Sequence, residues 1–383
     1  MASAVQSDAW SPALAVVSAP PTPGDTGHLL AAFDARRPAA LARAVSIVEN
    51  HRPGFETMLA RLHARLGHAR RIGITGPPGA GKSTLVMRLA TRYREMGLTV
   101  AIIAVDPTSP FTGGALLGDR IRMESVALDP GVFIRSMATR GSLGGVAGAT
   151  REVTDVVDAF GFDRILIETV GVGQSELDVV RLADTTVVVL VPESGDSIQT
   201  MKAGLMEIAD VFIVNKADRP GADRLRHEVE VMLGLRLGVS YRDIPAHHGV
   251  DLRTPRNPAR AARRAAAEDT SIWTPPVVST VAESGSGVDE VVAALDRHFD
   301  YLELSDALHR RRRQRLREQV VGIVERHVRE RMWRDSQANA WLDAQLPALE
   351  RGSVTPFAVA DALLARSVPR LATPAGTTHE DEP

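Results

Sequence analysis

Nine consecutive residues carry the strongest chemical signal in this chain of 383 residues: Gly76, Pro77, Pro78, Gly79, Ala80, Gly81, Lys82, Ser83 and Thr84. They match the P-loop spacing GxxxxGK[ST]. An apolar run with Ile72 and Ile74 precedes them and an amphipathic stretch follows, so the pattern predicts strand, loop and helix in that order. Glycines let backbone N–H groups converge on phosphate oxygens where a Cβ would stand in the way. The helix N-terminus adds the positive end of its dipole. Lys82 is placed to reach β- and γ-phosphates, and the Ser83 hydroxyl to bind Mg²⁺.

Two further motifs sit at the ends of apolar runs. Asn215-Lys216-Ala217-Asp218 follows Val211 to Val214 and matches the NKxD element by which GTPases read guanine. A carboxylate at Asp218 can accept from N1–H and from the exocyclic amine of guanine. Adenine offers neither there and would leave the carboxylate unpaired. Asn215 and Lys216 are expected to brace the loop and the base plane. Glu168, which opens Glu168-Thr169-Val170-Gly171, stands where a Walker-B carboxylate would hold Mg²⁺, with glutamate in place of the usual aspartate. Gly171 is placed to offer its N–H to a γ-phosphate. Asp106 and Asp119 are further carboxylates for Mg²⁺, although Asp119 also suits a helix cap. Val281-Ala282 falls where GTPases place a short loop contacting guanine.

Composition narrows the alternatives. Net charge is −2, so no overall field favours nucleic acid or an anionic membrane. The chain has no cysteine, which removes disulfides, thiolate metal sites and cysteine nucleophiles together. Only three of the 45 basic residues are lysines, Lys82, Lys202 and Lys216. A chain that otherwise uses arginine keeps lysine where a compact ammonium is wanted. Two of the three fall in nucleotide motifs, which singles out Lys202. No secretory signal and no apolar run of membrane-spanning length is visible, so the expected location is cytoplasmic, without a membrane partner.

The elements that must position these groups read as an α/β fold: a P-loop NTPase with a mostly parallel sheet covered by helices on both faces. Short apolar strands are expected at 100–105, 164–167, 186–191, 211–214 and 277–278, with a further short one at 133–134. Polar residues gather past their C-terminal ends, where such sheets bind ligands. Residues 1–27 are expected to be a disordered tail, 28–70 about three helices divided by Pro38 and Pro53, and 71–303 the nucleotide domain with an irregular, basic insertion at 242–269. Residues 304–368 form a helical region and 369–383 a second frayed tail. Within it, proline-free 305–334 carries Leu308, Leu316, Val320, Ile323, Val324, Val328 and Met332 on one stripe, which suggests a dimerising arm. The run Arg310 to Arg313 lacks interleaved aromatics, so nucleic acid is not an expected partner.

GPPGAGKST, VDPTSPFTGGALLGDRIRM, ETVGVGQSE, GDSIQTMKAGLMEIADVFIVNKAD and the preceding VENHRPGFE give the chain a family likeness. Over roughly residues 29–333 it resembles the methylmalonyl-CoA mutase-associated GTPases (MeaB/ArgK type) of the SIMIBI class of P-loop GTPases. The resemblance implies a Mg²⁺ site among Asp106, Asp119 and Glu168, switch I at 106–123 and switch II at 171–176. It also implies a third mobile loop near 195–204 with Asp196, Gln199 and Lys202, coupling nucleotide state to a partner. Ser197 stands where many relatives carry an acidic residue. By the same resemblance the protein is a homodimer that binds GTP and GDP and escorts an adenosylcobalamin-dependent acyl-CoA mutase. Nucleotide state would gate cofactor loading from a cobalamin adenosyltransferase, the adenosylcobalamin belonging to the partner enzyme. No side chain is an obvious base for the attacking water. Gln174 is a candidate orienter, and hydrolysis is expected to be slow alone and faster with the partner.

Other readings share the scaffold. A nickel-insertion GTPase needs Cys or His ligands near the P-loop, and none cluster before Gly76. A MinD-like ATPase would carry a second lysine early in the loop, where this chain has Pro77. A kinase of transport components finds no supporting motif. A scaffold that binds GDP without turnover is the remaining alternative.

Overall fold

The computed structural model describes residues 25–107, 126, 128–139, 145–169, 179–192, 203–236, 273–334 and 336–371. Seven strands form one all-parallel sheet: β1 (Arg70–Thr75), β2 (Val100–Pro107), β3 (Val132–Thr139), β4 (Arg164–Thr169), β5 (Thr185–Leu190), β6 (Val211–Asn215) and β7 (Val277–Thr280), in the spatial order β3-β2-β4-β1-β5-β6-β7. β1 therefore lies between β4 and β5, with Ile74 opposite Glu168 and Val187. The chain steps from β1 outward to β2 and β3, then returns through β4 past β1 to β5, β6 and β7, so the connections after β1 and β5 leave in opposite directions. The loop after β1 opens at that switch, the position where doubly wound sheets bind ligands.

Alternation along the strands assigns the helices to faces. Ile72, Ile74, Ile102, Leu166, Val187 and Ile213 pack against α4 (Lys82–Glu95) and α8 (Val288–Leu304). Their neighbours on β2 and β4, such as Ile103 and Ile167, face α1 (Asp25–Asp34), α2 (Pro38–Glu49), α3 (Phe55–Leu62) and α5 (Gly145–Phe160). Val188, Leu190, Phe212 and Val214 face α7 (Ala222–Arg236), with the short α6 (Ala203–Ile208) beside them. Fully buried leucines such as Leu85 and Leu89 each contribute about 1.5–3 kcal/mol to this core.

The expected strands are present, one of them longer than the sequence suggested. β3 runs for eight residues and pairs with β2 along its length, from Val100↔Val132 to Pro107↔Thr139, where the sequence suggested two. As an edge strand it tolerates Arg135 and Ser136, which hid it from an apolar-run search. The first helix begins at Asp25, inside the expected tail, and the last extends to Leu371. The remainder of both tails, and the 242–269 insertion, lie outside the described residues.

VENHRPGFE, part of the family likeness, ties α2 to its neighbours. Glu49 accepts from Arg135 on β3, and His51 pairs with Glu152 of α5 at 2.7 Å while stacking on Phe55.

Contacts divide the chain into two units, Met1–Tyr301 and Leu302–Pro383. In the second, α9 (Ala307–Arg334), α10 (Ser336–Glu350) and α11 (Pro356–Leu371) pack on one another. Leu316, Val320, Val324 and Val328 of α9 are exposed. Among the described residues no helix is long and apolar enough to cross a membrane.

One buried group gives this core a pH dependence. Tyr93 on α4 is fully enclosed, and burial, only partly offset by Arg164, pushes its hydroxyl up to about 12. The unfolded chain ionises a tyrosine near 10, so the folded state holds its proton longer. Stability is then intact below about pH 10 and falls as pH rises toward 12, by about 2–3 kcal/mol. Urea titrations at pH 9 and pH 11.5 should show this loss in the parent and a flatter profile in Tyr93→Phe. Equal losses in both would assign the alkaline sensitivity elsewhere. With three lysines and three tyrosines in the chain, few other groups titrate in that window.

Candidate nucleotide site

Between β1 and α4 the loop turns through Gly76, Gly79 and Gly81, all at positive φ. Two of these positions are closed to any side chain. A Cβ on Gly76 would meet the Val189 carbonyl oxygen at 2.2 Å, and one on Gly81 would meet Asn215 Nδ2 at 2.3 Å. The loop is thus pressed against β5 on one side and β6 on the other. Lys82, the first residue of α4, is buried, and its Nζ donates to the carbonyls of Gly76 at 2.8 Å and Pro77 at 2.9 Å. The ammonium is held inside the curve of the loop.

Ser83 comes next, and its hydroxyl donates to Glu168 Oε1 at 2.6 Å. Glu168 is almost fully buried at the end of β4. Thr169 beside it bonds Thr75 at 3.1 Å, which closes the ends of β1 and β4 together. A hydroxyl and a carboxylate converging at a loop–helix junction are the hard oxygen donors that Mg²⁺ takes, so these residues fit that ion. Glutamate in place of aspartate still reaches Ser83. Asp106 lies on the penultimate position of β2, opposite Ala138, and Asp119 lies outside the described residues.

Asn215 is the junction of the site. Its Nδ2 donates to the Ala80 carbonyl at 2.8 Å, while its Oδ1 accepts from Thr280 Oγ1 and from the Ala282 N–H, both at 3.0 Å. One amide therefore joins the phosphate loop to the loop after β7. Lys216 follows at φ 56 and Ala217 donates to the Thr280 carbonyl, a sharp exit from β6 that leaves Asp218 exposed. Val281 pairs back on Ser286, making a tight loop that places Ala282 beside Asn215. Of the sequence-derived set, residues 76–84, Glu168, Asn215, Lys216, Asp218, Val281 and Ala282 come together along one edge of the sheet. Gly171, Gln174, Asp196 and Lys202 lie outside the described residues.

Sequence reasoning overlooked Thr75, Thr280 and Arg88. The two threonines end strands and had only that position to mark them. Arg88, in the middle of α4, sends Nε to the Ala282 carbonyl at 3.0 Å and Nη2 to that of Glu283. Nothing local in the sequence distinguishes it from the other arginines of that helix.

An all-parallel sheet with a glycine-lined phosphate loop, a Ser–Glu pair and an Asn–Lys–x–Asp turn defines a P-loop GTPase. A family model described as Methylmalonyl Co-A mutase-associated GTPase MeaB matches residues 41–337, and the chain belongs to that family of GTP-hydrolysing enzymes. It is 43% identical over 331 residues to a proposed GTPase of Pyrococcus horikoshii, covering 86% of this chain and 95% of that one. A mouse protein named methylmalonic aciduria type A homolog, mitochondrial, is 33% identical over 298 residues, spanning 77% of this chain and 64% of its own. Among solved structures, one described as a LAO/AO transport system kinase superposes with a TM-score of 0.61 at 25% identity, covering 91% of this chain and all of that one.

Proposed function

We propose that this GTPase gates adenosylcobalamin loading onto an acyl-CoA mutase of the methylmalonyl-CoA type, and protects or reactivates that enzyme. The observation that carries the nucleotide part is the Asn215 amide, which links Ala80 of the phosphate loop to Ala282 of the base loop. Phosphate and guanine contacts are thereby coupled through one side chain. In this reading Lys82 holds the β- and γ-phosphates, Ser83 and Glu168 hold Mg²⁺, and Asp218 selects guanine. Mg²⁺ bound there supplies charge neutralisation across the phosphate oxygens. Gln174 orients the attacking water, and Gly171 carries γ-phosphate contact into switch II. Asp196 and Lys202 belong to the loop that reports nucleotide state to the partner.

The mutase assignment draws its support from the family description and from the name of the mouse relative. Dimerisation through α9 draws its support from the exposed Leu316, Val320, Val324 and Val328, which recur every fourth residue on one face. Order–disorder of loops that sense the γ-phosphate suffices to couple hydrolysis to cofactor handover.

The test is steady-state GTP hydrolysis by the purified protein, alone and with a cobalamin-dependent acyl-CoA mutase. The expected result is a slow basal rate raised at least tenfold or so by the mutase. Lys202→Ala should lose that increase while keeping its affinity for GDP. A rate that no such mutase changes would retain the GTPase and reject this partner class.

A further inference from the structure

We infer that Arg88 is a positioning residue for guanine specificity, acting from the phosphate-loop helix on the loop that reads the base. The inference rests on the reading of Val281-Ala282 as the guanine-contacting loop. Arg88 lies on α4, six residues beyond Lys82, and its guanidinium grips two successive carbonyls, Ala282 through Nε at 3.0 Å and Glu283 through Nη2. Such a fork fixes two peptide planes at once, which a lysine ammonium on a flexible stem does less well. In a trans peptide the C=O and the following N–H point opposite ways. Turning the Ala282 carbonyl toward α4 therefore turns the Glu283 N–H away from it.

The same stretch is held from within. The Ala282 N–H donates to Asn215 Oδ1, Ser284 and Gly285 N–H groups return to the Val281 carbonyl, and a Cβ on Gly287 would meet the Ser279 carbonyl at 2.2 Å. Asn215 thus sets one edge of the Ala282 peptides and Arg88 the other. The Glu283 N–H so presented recognises an acceptor. Guanine carries the 6-oxo acceptor where adenine carries an amine donor. Arg92, one turn further along α4, instead pairs with Asp289 on α8 at 2.6 Å and with Glu95 at 3.1 Å.

Competition of nucleotides against a fluorescent GDP analogue on the full chain separates specificity from simple support of the fold. Arg88→Ala should weaken GDP about tenfold, equivalent to about 1.4 kcal/mol. It should change 2-aminopurine riboside diphosphate, which lacks the 6-oxo group, by less than about twofold. Arg88→Lys should recover part of the difference, and Arg92→Ala should leave the ratio of the two ligands unchanged. A parental ratio in Arg88→Ala, with Asp218→Ala losing GDP, would overturn the role of Arg88 and keep the base site. Unchanged GDP affinity in Asp218→Ala would overturn the base-site reading and this inference with it.

Discussion

Replacing Lys82 with alanine is expected to lower kcat/KM for GTP by roughly a hundred- to a thousandfold, which corresponds to about 2.7–4 kcal/mol of transition-state stabilisation. Phosphoryl transfer leaves the protein little covalent chemistry, so positioning and charge neutralisation carry the rate. In the proposed reading Lys82 supplies both. Its ammonium is fixed by the Gly76 and Pro77 carbonyls, and the loop behind it runs so close to β5 that a Cβ on Gly76 would meet the Val189 carbonyl oxygen at 2.2 Å. The alanine variant loses the charge and leaves two loop carbonyls short of a donor. Arginine should not rescue it, since a planar fork does not fill the place of a compact ammonium in a curve this tight. Single-turnover hydrolysis with saturating Mg²⁺ measures the effect. A variant within about threefold of the parent would remove Lys82 from the phosphate site.

Arg71→Met should cost about 3–5 kcal/mol of stability, the usual result of removing one partner from a buried ionic group. Arg71 stands at the start of β1 with its Nη2 donating to Asp155 at 2.8 Å and to Asp158 at 2.7 Å, and its backbone N–H to Asp184. Burial acts against its charge. Asp155, Asp158 and Asp184 outweigh that and hold the guanidinium above its ordinary value. Asp158, fully buried, also accepts from the N–H groups of Gly67, His68 and Ala69, so the cluster pins α5 to the chain entering β1. Methionine matches the length of the stem and strands the carboxylates. The double variant with Asp155→Leu should recover part of the loss, because it removes one of the abandoned charges. Urea midpoints of the parent, both single variants and the double variant decide the matter. A double variant as unstable as the sum of the two singles would mean the pair is not coupled.

Much of the site was legible because its signals are short-range. GxxxxGKS and NKAD each lie within a few residues, and each follows an apolar run that predicts a strand. Glu168 was found the same way, although glutamate departs from the common aspartate. β3 was visible only at 133–134, since its register is imposed by β2 and its own Arg135 and Ser136 break the apolar run. Arg71 and Arg88 were lost among many arginines, because charge type alone does not say which carboxylate or carbonyl will face it.

By itself the sequence determined the strand–loop–helix at Gly76, the Asn-Lys-x-Asp turn at Asn215, the parallel α/β class and the family likeness. These follow from local backbone requirements and from hydrophobic period, which neighbouring residues carry with them. Tertiary structure decided how the pieces are joined: Asn215 spanning Ala80 and Ala282, Ser83 meeting Glu168, Arg88 gripping the loop after β7, and Gly73 lying where a Cβ would strike Val179. Each of these contacts links residues far apart in the chain. Their partners are selected by strand order and packing, which no local stretch of sequence encodes.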